Sequence, residues 1–305
     1  AAAMGLTRGS LITTMNGINI EEAIANNTFD YDAVLGPNEE GYTVDVTWLD
    51  LNGEEQTGTM SRSTVNSNTI LDTRILETTK GKVGYLVFNS FVERSAQDLD
   101  GTFSLFEQEN ITELVLDLRY NGGGYINIAK QLASQIAAEQ VLGKPMFSYE
   151  YNKNRSANSV NFELSNNKPR LNLPRVVVLT TEQTASSSEL VINALKPHID
   201  VQVVGTSTRG KPVGMDINKL CDHVVFAINF KMVNSEGYGD YFNGLPADCY
   251  AEDTINVDWG DTKDPLLNEA IYLLTNNSCS TSHSAQLPKQ KSFKNNFGLF
   301  DKNTI

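Results

Sequence analysis

Apolar residues along the middle of the chain alternate between unbroken runs and helical spacing. The runs ELVLDL (113–118) and RVVVLT (175–180) are typical of strands in a sheet that is covered on both faces. Between them, apolar residues recur at the spacing of one helix face, at Ala129, Leu132, Ala133 and Ile136. The alternation continues to a helix predicted at 264–275. It predicts an α/β core over residues 66–275, with a mixed sheet and crossover helices.

Residues 1–65 follow a different pattern, with turns and short stretches of alternating polarity. YTVDVTWLDL and EQTGTMSRS have the composition of two strands, and Asn52-Gly53 between them is a strong hairpin signal. We therefore expect a small β-rich unit before the core. Residues 276–305 are rich in Asn, Ser, Lys and Gln, and we expect them to form a loosely ordered polar tail.

Composition and charge narrow the classes of binding partner expected for this chain. Of 305 residues, 40% are hydrophobic and 20% are charged, as in a folded globular protein. The formal net charge of −13 repels phosphate and anionic lipid, so neither nucleic acid nor a membrane surface is expected as a partner. Because no run of about 18 apolar residues occurs, no membrane-spanning helix is expected.

The first candidate site follows the predicted strand at 113–118, where Asn121-Gly122-Gly123-Gly124 leads into a helix. Glycines let backbone N–H groups approach a ligand closely, and a helix N-terminus favours negative charge. Such a loop can hold a phosphate or a developing oxyanion, or it can be a tight structural turn. Its spacing matches neither of the common nucleotide-binding glycine motifs.

The second and third candidates follow the next two predicted strands. Ser186 and Glu189 in TASSSE have capping-box spacing, and Ser186 could equally be a nucleophile on a strand-to-helix turn. Lys211 ends the loop Gly205-Thr-Ser-Thr-Arg-Gly-Lys211. Most lysines are solvated, but a lysine enclosed by apolar groups can lose its proton and act as a base. All three candidates lie at strand ends, where α/β sheets place their ligands.

Other catalytic classes have weaker support in the sequence. A Ser-His-Asp hydrolase needs a histidine, but His198, His223 and His283 lie in no recognisable motif, and Ser186 is not in G-x-S-x-G. No clustered His, Cys and Asp pattern indicates a metal site. We expect neither a metal nor another cofactor.

The order of these motifs resembles the C-terminal processing (tail-specific) peptidases, a serine peptidase family that uses a Ser–Lys dyad. VGYLVFNSF, LVLDLRYNGGG, VVVLTTEQTASSSEL and VVGTSTRGKPVG follow one another as in that family, and YFNGLPADC resembles its late G-(I/L)-x-P-D segment. The resemblance covers roughly residues 80–275. It implies polypeptide substrates, with Ser186 as nucleophile and Lys211 as general base. It also implies an oxyanion hole formed by the backbone N–H groups of Gly123 and Ser187.

The resemblance carries further expectations and one departure. GLTRGSLITTMNG looks like the middle of a PDZ domain, so residues 1–65 are interpreted as a partial PDZ-like domain. Many members place a glutamine four residues after the lysine to orient its amine, whereas this chain has Met215 there. This substitution leaves open a rival hypothesis, a catalytically weak or inactive homologue that only binds peptides.

Location and cysteine pairing are expected on the same basis. The family resemblance suggests the bacterial cell envelope, either the periplasm or an anchor in the outer membrane. Thiols oxidise in such a compartment. From the residues alone, the three cysteines could all be free thiols, or one pair could be bonded. With an envelope location, and because Cys221 and Cys249 flank one β-like stretch, we expect a disulfide between these two and a free Cys279 in the polar tail.

Overall fold

The structure, a computed structural model, describes residues 2–66 and 68–280. Its strands are β1 (Leu11–Met15), β2 (Ile18–Asn19), β3 (Thr43–Leu49), β4 (Glu55–Ser61), β5 (Ile70–Thr78), β6 (Gly81–Phe88), β7 (Glu113–Asp117), β8 (Pro145–Tyr151), β9 (Asn158–Asn161), β10 (Arg175–Thr180), β11 (Asp200–Gly205), β12 (Val213–Leu220), β13 (His223–Asn234) and β14 (Cys249–Tyr250). Its α-helices are α1 (Ile20–Ala25), α2 (Tyr31–Leu35), α3 (Ser95–Gln108), α4 (Ile126–Ile136), α5 (Ala138–Val141), α6 (Ser187–Leu195) and α7 (Pro265–Asn276). The predicted alternation of strands and helices is therefore present.

The central sheet has the strand order β14-β11-β10-β7-β6-β5. Neighbouring strands from β14 to β6 are parallel, and β5 is antiparallel to β6 at the edge, so the sheet is mixed as predicted. Parallel neighbours require crossover connections, and α3, α4 and α6 supply them. The parallel strands consequently end at one common edge, which collects the loops that follow β7, β10 and β11.

Alternate residues of the central strands point into two separate hydrophobic layers. Leu114 and Leu116 of β7 pack with α3, α4 and α6 on one face, whereas Val115 packs with α7 on the other. Val176 and Val178 of β10 likewise belong to the first layer. Because both faces are covered, the strands carry the unbroken apolar runs seen in the sequence.

A third sheet, β12-β13-β8-β9, was not predicted. It is antiparallel, and much of the β12–β13 hairpin is exposed, including Ile217, Leu220 and Phe226. The strands were missed although 224–228 form a continuous apolar run and apolar and polar residues alternate over 147–151. The hairpin begins directly after Lys211, so it continues one of the loops of the candidate site.

The N-terminal unit is a small antiparallel sheet of order β2-β1-β3-β4. Its β3–β4 hairpin places Leu49 opposite Glu55, which confirms the hairpin predicted at Asn52-Gly53. Val44, Val46 and Trp48 form a small core of its own, separate from the layers of the central sheet. The interpretation of this unit as a partial PDZ-like domain stays a prediction.

The predicted cysteine pairing is wrong. The structure joins Cys249 to Cys279, with 5.4 Å between their Cα atoms, and leaves Cys221 free and exposed. Cys221 lies in the turn between β12 and β13, whereas Cys249 belongs to β14 of the central sheet, so sequence spacing gave no guide to their distance. Cys279 follows α7, which packs beside β10 and β11. The polar tail predicted for 276–305 therefore begins with ordered residues up to Ser280, and 281–305 lie outside the described residues.

Candidate active site

Three loops at the carboxyl edge of the central sheet are joined by backbone hydrogen bonds. The N–H of Ala185, after β10, donates to the carbonyl oxygen of Asn121, after β7, at 3.1 Å. The N–H of Arg209, after β11, donates to the carbonyl oxygen of Thr184 at 2.9 Å. The three sequence motifs therefore converge on one place, as their positions at strand ends predict.

Ser186 occupies an uncommon backbone conformation, with φ 58° and ψ −116°. Such a conformation costs a non-glycine residue on the order of 1–3 kcal/mol and recurs at functional sites, where the surrounding structure enforces it. Ser186 lies between β10 and the first residue of α6, so this is the expected strand-to-helix turn. The turn leaves its side chain partly exposed.

The two serines that follow are committed to the scaffold. The hydroxyl of Ser187 donates to the carbonyl oxygen of Gly124 at 2.6 Å, and that of Ser188 donates to the carbonyl oxygen of Asn121 at 2.9 Å. Both residues are fully buried. Both hydroxyls fasten the glycine loop to the start of α6, which distinguishes Ser186 as the accessible member of the serine run.

Gly123 packs directly against the nucleophile turn. With φ +98°, it would place a Cβ atom 2.8 Å from both the Cβ of Ser186 and the backbone nitrogen of Ser187. The N–H of Gly123 donates to Oδ1 of Asn121 at 2.9 Å, so this expected oxyanion donor is engaged within its own loop. The N–H of Ser187 belongs to the first turn of α6, where N–H groups have no acceptor inside the helix.

The loop that bears Lys211 is held by the segment 241–245, part of the late motif YFNGLPADC. The N–H of Thr208 donates to the carbonyl oxygen of Leu245 at 3.0 Å, and the N–H of Leu245 donates back to Oγ1 of Thr208 at 2.8 Å. Gly210, with φ +86°, would place a Cβ atom 2.4 Å from the carbonyl oxygen of Phe242. The late motif thus supports the lysine loop.

Met215 lies on β12, where it is half-buried and opposite Ile228 of β13. A β-bulge falls between Gly214 and Met215. The position is therefore part of the antiparallel hairpin that follows the lysine loop, and the thioether offers only a weak hydrogen-bond acceptor there.

Glu189 connects the serine turn to the lysine loop. Its Oε2 accepts a hydrogen bond from the N–H of Ser186 at 2.8 Å and another from the N–H of Lys211 at 2.9 Å. The capping-box spacing identified the first bond, but a contact with a loop 22 residues further along the chain could not be inferred from local sequence. The backbones of Ser186 and Lys211 therefore meet at one carboxylate oxygen.

A buried ionic network lies beneath the glycine loop. Arg119 is fully buried and donates to both carboxylate oxygens of Asp117, and it also pairs with Asp253 and Asp264 at 2.7 Å. Burial alone would lower the pKa of the Arg119 guanidinium, but the charge of Asp117, the hydrogen bonds to it and the charge of Asp264 together outweigh burial, and the pKa is raised. Arg119 therefore stays charged, and its ion pairs hold it in place directly before Tyr120 and the glycine loop. Along the chain, only the closely spaced charges of Asp117 and Arg119 indicate this network.

Two further features bear on the class of protein. Among residues 2–66 and 68–280, no helix is long and apolar enough to cross a bilayer. Within these ranges, Cys249, Glu269 and Cys279 lie close enough together to hold a metal ion, but the two cysteine sulfurs are bonded to each other.

Comparison with protein families and curated proteins gives consistent matches. The model described as Peptidase family S41 matches residues 82–250. The "Probable CtpA-like serine protease" of Staphylococcus epidermidis is 25% identical over 173 residues, 55% of this chain and 33% of that protein. The protein of the same name from Staphylococcus haemolyticus is 22% identical over 250 residues, 81% of this chain and 47% of that protein. The chain thus spans about a third to a half of the length of these relatives.

Two solved structures share the fold. An S41 protease structure from Bacteroides fragilis superposes with a TM-score of 0.74 at 25% identity, covering 91% of this chain and 76% of that one. The photosystem II D1 C-terminal processing protease superposes with a TM-score of 0.53 at 20% identity, covering 82% and 65%. The second likeness is one of fold alone.

Proposed function

The chain belongs to peptidase family S41, and we propose that it hydrolyses peptide bonds in proteins through an acyl-enzyme, with Ser186 as nucleophile and Lys211 as general base. One observation carries the proposal. Ser186 lies on a strained strand-to-helix turn, and its N–H shares the Oε2 atom of Glu189 with the N–H of Lys211. A nucleophile and its base must act from adjacent positions, and this shared contact supports that arrangement.

The reaction then proceeds in two stages. The neutral amine of Lys211 accepts the hydroxyl proton of Ser186 as Oγ attacks the peptide carbonyl. The resulting ammonium returns the proton to the leaving amine, and the acyl-enzyme remains. Lys211 next takes a proton from water, the hydroxide attacks the ester, and Ser186 recovers its proton as the acid product leaves.

The oxyanion that forms at each stage needs backbone donors. The N–H of Ser187 begins α6 beside Ser186, where the helix dipole also favours negative charge. We propose it as the first donor. The glycine loop is proposed to supply the second, from Gly123 once a substrate oxygen replaces Oδ1 of Asn121 as its acceptor.

The substrates are proposed to be polypeptides, cut near their C-termini. The order of the motifs, which resembles that of the C-terminal processing peptidases, supports that preference. The proposed location is the bacterial cell envelope, periplasmic or anchored in the outer membrane. The Cys249–Cys279 disulfide supports it, because disulfides persist in oxidising compartments.

A second hypothesis is a peptide-binding homologue without turnover. Met215 favours it, since a thioether in place of the family's glutamine cannot donate a hydrogen bond to orient the lysine amine. A fluorophosphonate probe separates the two functions, because it reacts with activated serines.

The test combines probe labelling with peptide hydrolysis. The wild-type protein is expected to be labelled at Ser186 and to cleave unstructured peptides, whereas Ser186→Ala and Lys211→Met should do neither. Ser159→Ala, at an exposed serine of β9, is the matched control and should match the wild type. A peptide with an amidated C-terminus should be cut more slowly than the free acid if C-termini are recognised. Peptide binding without labelling or cleavage would instead establish the non-catalytic homologue.

A further inference from the structure

The carboxylate of Glu189 is fully buried and accepts four hydrogen bonds. Two are the bonds to Oε2 from the Ser186 and Lys211 N–H groups. At the other oxygen, Oε1 accepts from the N–H of Gly210 at 2.7 Å and from Oγ1 of Thr208 at 2.5 Å. Three of the four donors therefore come from the lysine loop, and only one comes from the helix start that a capping box would serve.

The four donors match a carboxylate and no other side chain of similar size. Within the described residues no lysine, arginine or histidine forms an ion pair with Glu189, so these hydrogen bonds replace its lost hydration. A glutamine has the same shape, but its NH₂ group would face two of the donors and break those bonds. A buried N–H or O–H donor that faces another donor costs about 1–3 kcal/mol. The lysine loop can avoid this cost only by moving away from residue 189.

We propose that Glu189 is a positioning residue of the peptidase, which holds the nucleophile turn and the general-base loop as one rigid unit. This inference rests on the proposed function, since it assigns a role in the same reaction. Glu189 acts through the backbone nitrogens of Ser186 and Lys211 rather than through the Ser186 hydroxyl or the Lys211 amine, which carry the proposed chemistry.

Thr208 extends this unit to the late segment 241–245. Its hydroxyl donates to Oε1 of Glu189 and accepts the N–H of Leu245 at 2.8 Å. The support of the lysine loop therefore runs from the start of α6 through Glu189 and Thr208 to Leu245. The hydroxyl is the part of Thr208 that matters, because it serves both contacts.

The first test compares Glu189→Gln with Glu269→Gln. Glu269 is a matched control, since it is also a fully buried helix glutamate and accepts hydrogen bonds from Ser280, outside the site. Loss of alignment between reacting groups can lower a rate on the order of 100-fold. We expect Glu189→Gln to lower kcat by about that factor with little change in KM, and Glu269→Gln to keep the wild-type kcat.

The second test uses the hydroxyl of Thr208. Thr208→Val removes the donor to Glu189 with little change in volume, whereas Thr208→Ser retains it. We expect Thr208→Val to lower kcat about tenfold, as loss of one hydrogen bond of roughly 1.4 kcal/mol would, and Thr208→Ser to restore it. A role in stability alone would lower the melting temperature of the valine variant without changing the kcat of the folded protein.

The third readout is independent of catalysis. Amide hydrogen exchange of 206–212, measured by mass spectrometry on the full chain, should be at least about tenfold faster in Glu189→Gln, as loss of a bond of about 1.4 kcal/mol implies. It should be unchanged in Glu269→Gln. If Glu189→Gln is too unstable to purify, the Thr208 pair decides by the same two measurements.

The outcomes separate this inference from the proposed function. An active wild type with a folded Glu189→Gln of unchanged kcat and unchanged exchange overturns the positioning role and leaves the peptidase intact. A wild type that neither hydrolyses peptides nor reacts with the probe overturns the peptidase. In that case the exchange measurement still decides whether Glu189 holds the lysine loop.

Discussion

The guanidinium of Arg8 stacks on the indole ring of Trp259, with its central carbon 3.9 Å from the ring centroid. Arg8 also donates to the carbonyl oxygens of Thr254 and Val257, at 2.6 and 3.1 Å, and to the hydroxyl of Tyr120 at 3.3 Å. Tyr120 directly precedes the glycine loop of the candidate site. The N-terminal unit is therefore docked onto the part of the core that supports this loop.

Arg8→Ala should destabilise the protein by about 2 kcal/mol, because it removes the stacking contact and three hydrogen bonds from a charged donor. Arg8→Lys should cost about half as much, since an ammonium retains the charge but has no planar face to stack on the indole and cannot reach the separated acceptors as the guanidinium fork does. Urea denaturation at neutral pH measures both. A surface substitution changes the free energy of unfolding by less than about 0.5 kcal/mol. Changes that small in both variants would show that the docking contact is not formed in solution.

Gly123→Ala should abolish most activity and destabilise the fold by about 2–3 kcal/mol, because its methyl group would overlap the nucleophile turn at a positive φ. Gly122→Ala is the matched control. Gly122 precedes Gly123 in the same loop, is exposed, and has no atom within 4 Å of an added Cβ. Thermal melts and peptide hydrolysis of both variants check the prediction, and equal losses in the two would contradict it.

Cys279→Ser should lower the free energy of unfolding by roughly 3–4 kcal/mol, because it opens a closed loop of 30 residues. Cys221→Ser should have no measurable effect, since Cys221 is a free thiol in an exposed turn. Denaturation under non-reducing conditions measures the two. Thiol titration of the unreduced, unfolded wild type should give one free thiol, and three would exclude the disulfide.

Tyr241 provides a pH-dependent prediction. Burial, reinforced by the negative charge of Glu189, raises the pKa of the Tyr241 hydroxyl, which has no hydrogen-bond partner among the described residues. The folded state therefore keeps this proton above pH 10.0, whereas the unfolded state loses it. Its contribution to stability is complete below pH 10.0 and falls by about 1.4 kcal/mol per pH unit above it.

Tyr241→Phe should remove the loss of stability above pH 10.0 that the raised pKa of Tyr241 causes. At neutral pH the variant should be at least as stable as wild type, because it removes a buried hydroxyl without a partner. Urea midpoints measured from pH 8 to pH 11 compare the two proteins. Parallel curves would show that Tyr241 ionises in the folded state as it does in the unfolded one.

Several elements could be predicted because their determinants are local. The apolar runs of β7 and β10 identified the centre of the sheet, and Asn52-Gly53 identified the β3–β4 hairpin. The N-terminus of α6 at Ser186 followed from turn and capping signals. The β12–β13 hairpin was missed although 224–228 form a continuous apolar run. The pairing of β13 with β8, which completes this sheet, joins segments far apart along the chain and is not visible in a local pattern.

The sequence by itself determined the α/β class, the order of the three motifs and the choice of Ser186 and Lys211 as candidates. These follow from periodicity and motif content, which are read along the chain. Only the tertiary structure decided which cysteines pair, that the Gly123 N–H is engaged by Asn121, and that Glu189 connects the serine turn to the lysine loop. The cysteine pairing and the Glu189 contact depend on the distance between residues that parallel strands and crossover helices bring together, and spacing along the chain carries no information about that distance. The Gly123–Asn121 bond is local, but it depends on the conformation of the glycine loop, which residue type alone does not specify.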